Sequence, residues 1–566
     1  MVTHDNGGTA PEEHATSFLR RTFWNSDHKV IGLNYLWLAL ISVFLGMALS
    51  LLMRIHLVWP GAHLPFVSRL ANTPEHYGAL TMLHGSLMIF IVLTAAPQAG
   101  FGNYFLPLQI GAREMAFPTL NLLSFWATVA SLLGITTAFF LSAESGLNLW
   151  IVSVALFCVA SLLSALNFSV TAIDLRTKGM TLPRMPLTAW AWFLTAILGS
   201  LIFSILLAAC ALLLSDRVVG THFFTAPQAL VGSMPYSTPQ RIPLLWQRLF
   251  WFFAQAEVYV AMLPCLGITS HLLSTFARKA VWALRAVVLA LGGVGLFGFC
   301  IWGYHMFESG LNPHVPLVFA SLAESLGLPA VILLASWLGT LWKGKIRLTT
   351  AMLFAIGFIS LFISGGLSGL FLARHDLALV AVSDEFVTGH FHLVMGVAAT
   401  FAILGALFFW FPKMFGRRLN ETLGKLHFWL TFSGVYCVFM PMHWLGLIAH
   451  SRTAGGNPLA AAVAGATVRN FITGATIVTI AAQGIFLFNF LWSVWRGAKD
   501  NEKNPWHATT LEWSTESPTP FDNFGTAEPV VHRGAYEYGV SDSAEDFVPQ
   551  HLAPEQAPEK IAEQGR

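Results

Sequence analysis

The sequence predicts an all-α integral membrane protein, a bundle of twelve transmembrane helices, and three observations carry that expectation. Of its 566 residues, 55% are hydrophobic and only 11% charged, with a mean hydropathy of +0.63; an ordinary soluble domain is roughly 25% charged. Twelve apolar runs reach the length a helix needs to cross a bilayer, roughly 20 residues. Lysine and arginine gather in every second loop, the asymmetry that orients membrane helices. The same composition excludes a water-soluble globular enzyme and a disordered chain. A net charge of +2 offers no dense basic surface, so a nucleic-acid partner is excluded as well.

In chain order the runs cover residues 30–53, 77–101, 119–142, 149–173, 187–214, 244–273, 281–307, 315–342, 350–373, 380–411, 428–449 and 471–495. Several exceed the minimum, which predicts tilted helices. The basic loops carry Arg113; Arg176, Lys178 and Arg184; Arg278, Lys279 and Arg285; Lys343, Lys345 and Arg347; and Lys413, Arg417, Arg418 and Lys425. Arg217, Arg241 and Arg374 are scattered exceptions. Both termini are therefore expected in the cytoplasm. The chain divides into a cytoplasmic N-terminal segment (1–29), a twelve-helix membrane domain (30–498) and a polar cytoplasmic tail (499–566). The N-terminal segment has no signal-peptide apolar core. The tail is rich in Pro, Glu, Asp and Ser and is expected to be solvated. The five cysteines all fall inside apolar runs without metal-ligand spacing and read as small core residues.

The 20 histidines are the anomaly, because ionisable residues inside membrane segments are costly and usually mark function. His84 falls about seven residues into the second run, and His390 and His392 about ten residues into the tenth; at about 1.5 Å per residue they share one depth in the outer half. His305 lies near the outer end of the seventh run, in the same half. Imidazoles brought to one layer by distant helices suit metal or haem ligation. Residues two apart on a helix point roughly 200° apart, so His390 and His392 serve two cofactors on opposite flanks rather than one metal. A pairing of His392 with His84 gives a bis-imidazole haem, and His390 a second haem with an open face. The competing reading of any one of these histidines is a helix–helix hydrogen bond.

The stretches Ser26-Asp27-His28-Lys29-Val30-Ile31-Gly32, Leu83-His84-Gly85, Gly100-Phe101-Gly102-Asn103-Tyr104, Ala116-Phe117-Pro118, Trp251-Phe252-Phe253, Gly389-His390-Phe391-His392 and Phe411-Pro412-Lys413-Met414-Phe415-Gly416 resemble, in order and wording, subunit I of the haem-copper oxidases of the A-type cytochrome c oxidase class. The resemblance covers nearly the whole chain. It implies a twelve-helix fold, a low-spin haem on His84 and His392, and a high-spin haem on His390. It also implies a haem-propionate contact at Arg452, whose expected arginine neighbour is Thr453 here.

The departures are specific. The family holds copper B with histidines from WFFGHPEVY and WAHHMF motifs, where this chain has Gln255 and Tyr304, keeping only His305. Neither an amide nor a phenol that stays protonated near neutral pH replaces imidazole as a copper ligand, so copper B is expected to be absent. The family's PTGIKxFSW motif reads Pro329-Ala330-Val331-Ile332-Leu333-Leu334-Ala335-Ser336-Trp337, so the lysine of one proton path is Leu333. The other path keeps Glu114 at its entrance, Asn103 and the terminal Glu257, with one asparagine replaced by Leu122. Tyr259 is kept, but Gln255 stands where its covalent histidine partner belongs. The HDTYxVxA segment is replaced by residues 382–389 without its histidine. Glu324 falls mid-span in the eighth run and is either a hydrogen-bond partner of His305 or Tyr304 or a protonated packing residue.

These observations point to a subunit I-like membrane haem protein of an aerobic respiratory chain, with two haems of a-like or b type. It transfers electrons or scaffolds a partner in a terminal oxidase complex. The alternatives are an active proton-pumping oxidase reducing oxygen to water, with Glu257 and Tyr259 as its catalytic positions, and a haem enzyme that binds nitric oxide or oxygen at an altered metal site. The resemblance implies as partners a subunit II with copper A, a subunit III, and cytochrome c as a donor acting through a partner; a second, intact subunit I is a further expectation. The expected location is a bacterial inner membrane.

Overall fold

The computed structural model describes residues 23–59, 74–224, 244–304, 314–373, 384–453, 458–500, 502–525, 528–539 and 545–554. Its helices follow the apolar runs. They are α1 (His28–Val58), α2 (His76–Ile110), α3 (Pro118–Ala138), α4 (Ala143–Asp174), α5 (Leu187–Val218), α6 (Leu244–Ala277), α7 (Leu284–Cys300), α8a (His314–Ser325), α8b (Gly327–Leu341), α9 (Thr350–Ala373), α10 (Asp384–Phe415), α11 (Glu421–Thr453) and α12 (Pro458–Arg496). Eleven of the described helices are long and apolar enough to cross a bilayer, with α8a and α8b together forming one span, and α7 is a shorter apolar helix.

Helix starts follow local chemistry. The Asp27 carboxylate accepts the Lys29 backbone N–H at 2.7 Å and caps α1. Pro118 opens α3, where its missing N–H costs nothing. The eighth run, expected as one helix, is interrupted at Leu326, because Pro329 has no N–H for the Ser325 carbonyl and its ring crowds that turn. The seventh run ends earlier than expected, at Cys300, and residues 301–304 form a turn.

Two helices leave α geometry. Residues Leu87–Phe101 of α2 and His392–Val397 of α10 form wider π-type turns, which recur at functional sites because they re-aim side chains. The periodicity of the sequence carried no sign of either.

The tail differs from the solvated segment expected. Leu511, Glu512, Trp513, Val531, Tyr536 and Val548 are all buried against the cytoplasm-side helix ends expected from the loop charges. Lys413, fully buried at the end of α10, donates to the carbonyls of Thr515 at 2.8 Å and Glu516 at 3.2 Å, with its ammonium 5.0 Å from the Trp513 ring. The Arg278 guanidinium pairs with Asp546 at 2.5 Å and donates to the Trp506 and His507 carbonyls. The pairing holds the Asp546 carboxyl below its ordinary range. Composition missed this docking because aromatic anchors are interspersed among the polar residues rather than clustered in one run. Asn523 of the tail also meets Lys29 Nζ at 2.9 Å, so the start of α1 and the tail lie on one face of the bundle.

Candidate functional site

His84, His390 and His392 share one arrangement. The ring Nδ1 of His84 bonds the Gly46 carbonyl at 2.9 Å, that of His392 the Thr388 carbonyl at 2.8 Å, and that of His390 the Gly365 carbonyl at 3.0 Å. A carbonyl can only accept, so each Nδ1 carries the proton and each Nε2 keeps a lone pair for iron. That is the orientation in which second-shell carbonyls hold metal-binding imidazoles. The residues therefore fit haem.

His390 and His392 lie against different helices. His390 meets α9, through Gly365 and the Ser368 hydroxyl at 3.1 Å, while His392 stacks on Phe439 of α11 with centroids 4.7 Å apart. Glycines make these approaches possible: a Cβ at Gly369 would stand 3.0 Å from the His390 ring, and one at Gly46 would meet Met88 beside His84. His392 lies within charge range of both His84 and Arg54, and Arg54 donates to the Met442 sulfur at 3.0 Å. Sequence reasoning missed Arg54, although a cation inside an apolar span is a signal in itself.

The residues at the positions where the resemblance places copper ligands are arranged otherwise. Gln255 Nε2 donates to the Tyr259 hydroxyl one helical turn on, at 3.4 Å. The Tyr259 ring lies directly on Gly298 of α7, where any Cβ would collide with it. Tyr304 sits in the turn after α7, its backbone N–H on the Ile301 carbonyl at 3.0 Å. His305 lies outside the described residues. Arg452 falls in the last turn of α11, and its side chain lies outside the described set. Glu324 is not mid-helix but in the final turn of α8a, and it is exposed.

Glu114, Asn103 and Glu257 mark a polar track through the helices. Glu114, in the loop after α2, accepts the His28 N–H at 3.1 Å and the Met115 N–H at 3.0 Å, and burial pushes its carboxyl up to about 7. Asn103 is fully buried, with its Nδ2 on the Ala99 carbonyl at 2.7 Å and its Oδ1 without a protein partner. Both amide atoms of buried Asn121 lack one too. About a turn further in, a cavity of about 40 Å³ is lined by Tyr35, Thr94, Gln98, Ser124, Thr128 and Thr195 among others. It has polar partners and room for water. At its inner end Thr94 donates to Glu257 at 2.5 Å, and the second oxygen of Glu257 has no protein partner. Sequence reasoning named the acids but missed Thr94 and Asn121, whose signal is a polar side chain in an otherwise apolar run.

Around Leu333 the side chains pack without a polar relay. Leu333 is fully buried, Ser336 donates to the Trp282 carbonyl at 2.6 Å, and Trp337 donates to Ser270 at 2.8 Å. An apolar cavity of about 70 Å³ lies between α1, α2, α10 and α12, lined by Val43, Val92, Ala96, Thr400, Leu404 and Phe490 among others. Val92 and Thr400 are each eight residues, about two turns, past His84 and His392.

The family model described as cytochrome c and quinol oxidase polypeptide I matches residues 30–482. The chain is 39% identical over 567 residues to the alternative cytochrome c oxidase subunit 1 of Bradyrhizobium diazoefficiens, covering 96% of this chain and 94% of that one. It is 37% identical over 542 residues to the cytochrome c oxidase subunit 1 of Synechocystis sp., covering 92% and 93%. A haem-copper terminal oxidase dimer solved by cryo-electron microscopy shares the fold, with a TM-score of 0.68 over 84% of this chain and 85% of that chain at 16% identity. By its matched length and the identity of these relatives, the chain is a multi-pass membrane protein of the cytochrome c and quinol oxidase subunit I family.

Proposed function

We propose that this chain is a haem-carrying subunit I paralogue that transfers electrons or scaffolds a terminal oxidase complex of an aerobic respiratory chain, without a copper B site of its own. The observation that carries this reading is the pairing of Gln255 with Tyr259 where the family's copper ligand and its tyrosine meet. With Tyr304 at a second ligand position, one imidazole, His305, is left for copper, too few for a stable site.

Bound haem supplies one-electron chemistry. His84 and His392 would hold the low-spin haem and His390 the second. Arg54 would place a positive charge beside the first, and Arg452 is proposed to meet a propionate. The apolar cavity beyond His84 and His392 supports a haem with a long isoprenoid tail, a-like rather than b, because a tail of that kind needs a dry slot continuous with the ring pocket. Glu257 holds a proton near the second haem, Thr94 orients it, and Glu114 admits protons from the cytoplasmic face. The partners proposed are the family's subunits II and III, an intact subunit I, and cytochrome c acting through a partner. The membrane proposed is the bacterial inner membrane, with both termini cytoplasmic.

A second reading, a site for nitric oxide or oxygen, is favoured by the polar side chains Gln255, Tyr259 and Tyr304 at or beside the positions where the family holds copper. Anaerobic reduction followed by carbon monoxide separates the readings. The proposal expects one of the two haems to shift its optical spectrum, the other to stay unchanged, and no oxygen consumption once any intact subunit I is removed. Sustained oxygen consumption by the chain alone overturns it in favour of an active oxidase, and turnover of nitric oxide favours the second reading.

A further inference from the structure

The three imidazoles are not anchored alike. The Nδ1–H of His84 meets the Gly46 carbonyl at 2.9 Å and that of His392 the Thr388 carbonyl at 2.8 Å, each with one acceptor among the described residues. The Nδ1–H of His390 is divided between the Gly365 carbonyl at 3.0 Å and the Ser368 hydroxyl oxygen at 3.1 Å, the longest contacts of the set. Ser368 gives its own proton to that same Gly365 carbonyl, at 2.8 Å, which leaves its oxygen to accept from His390. Gly365 lies inside α9, where its carbonyl also serves the helical ladder, so more donors converge on it than its two lone pairs can hold.

The arrangement is confined to one turn. Ser360, Ser364 and Ser368 stand at successive turns of α9, but the first two meet the Tyr436 hydroxyl of α11, at 2.8 Å each, and Ser368 meets the imidazole. Nothing separates α9 from α10 here: a Cβ at Gly365 would stand 2.6 Å from the Val394 backbone nitrogen, and one at Gly369 3.0 Å from the His390 ring. The ring is pressed onto the turn that carries the hydroxyl.

We infer that Ser368 is a positioning residue that loosens the hold on the His390 Nδ1 proton and so makes His390 the least electron-donating of the three iron ligands. A strong acceptor at Nδ1 raises the basicity of a metal-bound imidazole, and a divided one raises it less. A less basic axial ligand stabilises ferric iron less, which moves the reduction potential upward. A higher potential at His390 favours the arrival of electrons from the haem of His84 and His392. The inference deepens the proposed electron-transfer role and rests on its assignment of two haems.

The test reads the anaerobically reduced, purified complex by resonance Raman for the iron–histidine stretch of the His390 haem, and by spectroelectrochemical titration of both haems. Ser368→Ala leaves the Gly365 carbonyl, the stronger acceptor, with one donor fewer. The stretch then moves to higher wavenumber and the midpoint of the His390 haem moves negative, while that of the bis-imidazole haem stays in place. Ser368→Thr keeps the hydroxyl and stays at the wild-type values. Ser368→Cys, with a weaker donor and acceptor, falls between, and it carries the test if the alanine variant loses haem. An unchanged stretch, a shift to lower wavenumber, or an equal shift of both midpoints overturns the role of Ser368 and leaves the two-haem reading standing. A wild-type complex with a single haem in this chain overturns both.

Discussion

The histidine-bearing α2–α10 region and the α6–α7 region that carries Gln255, Tyr259 and Tyr304 are built differently. On the first, His84, His390 and His392 each keep a backbone carbonyl on Nδ1, an oriented Nε2, and a glycine or aromatic ring that fixes the imidazole plane. On the second, an amide and a phenol stand where the resemblance places copper ligands, and one of them bonds its own helical neighbour. The proton tracks repeat the contrast. Along the Glu114–Glu257 track, amide and carboxylate atoms are left without protein partners, as a water-bearing route requires, whereas around Leu333 the remaining polar groups are consumed by local bonds. A second shell is preserved where a ligand has to be oriented, so its survival on one side only is the physical argument for haem without copper.

The largest effects come from breaking the preserved side. His84→Ala or His392→Ala removes the low-spin haem and halves the haem content of the chain, read by pyridine haemochrome assay; His390→Ala removes the other haem and leaves the bis-imidazole spectrum. His390→Ala and His392→Ala losing the same haem would undo the assignment of opposite flanks. Next, Gln255→His with Tyr304→His rebuilds the missing ligand set beside His305. Metal analysis then finds copper rising from background toward one per chain, and no rise would mean that the altered side differs by more than its ligands.

A subtler change sharpens the contrast between proton tracks. Burial favours the neutral form of Glu114, a preference fully present below the ordinary carboxylate range and lost as pH rises through about 7. An infrared carboxyl band with a midpoint near 7 is therefore expected, and Glu114→Gln abolishes it without loss of haem. The smallest expected effect is at the tail. Arg278→Ala removes a buried cation from a partly exposed aspartate and costs about 2 kcal/mol of tail docking, read as faster proteolysis between residues 502 and 525. Because Asp546 is held below its ordinary range, the same docking is present above that range and weakens as pH falls through the lowered value.

Much of this was legible in the sequence, for reasons that differ by feature. The spans were readable because a bilayer demands long apolar runs, and the histidine layer because a polar residue in such a run has few structural uses. The break at Leu326 was latent in Pro329, but length alone joined α8a to α8b. The π-type turns after Ser86 and at His392 were invisible, since a change of helical pitch leaves no mark on composition. The buried tail was missed because Trp513, Tyr536 and Lys413 are distant in sequence and meet only once the helices are assembled. Thr94 and Asn121 look like ordinary small polar residues until the cavity beside them is seen.

The copper-to-iron ratio of the wild-type chain, resolved from any intact subunit I and measured by elemental analysis on the same sample as its optical spectrum, tests the central claim most directly. Two haem irons per chain with copper at background are expected. Stoichiometric copper bound to this chain would contradict it.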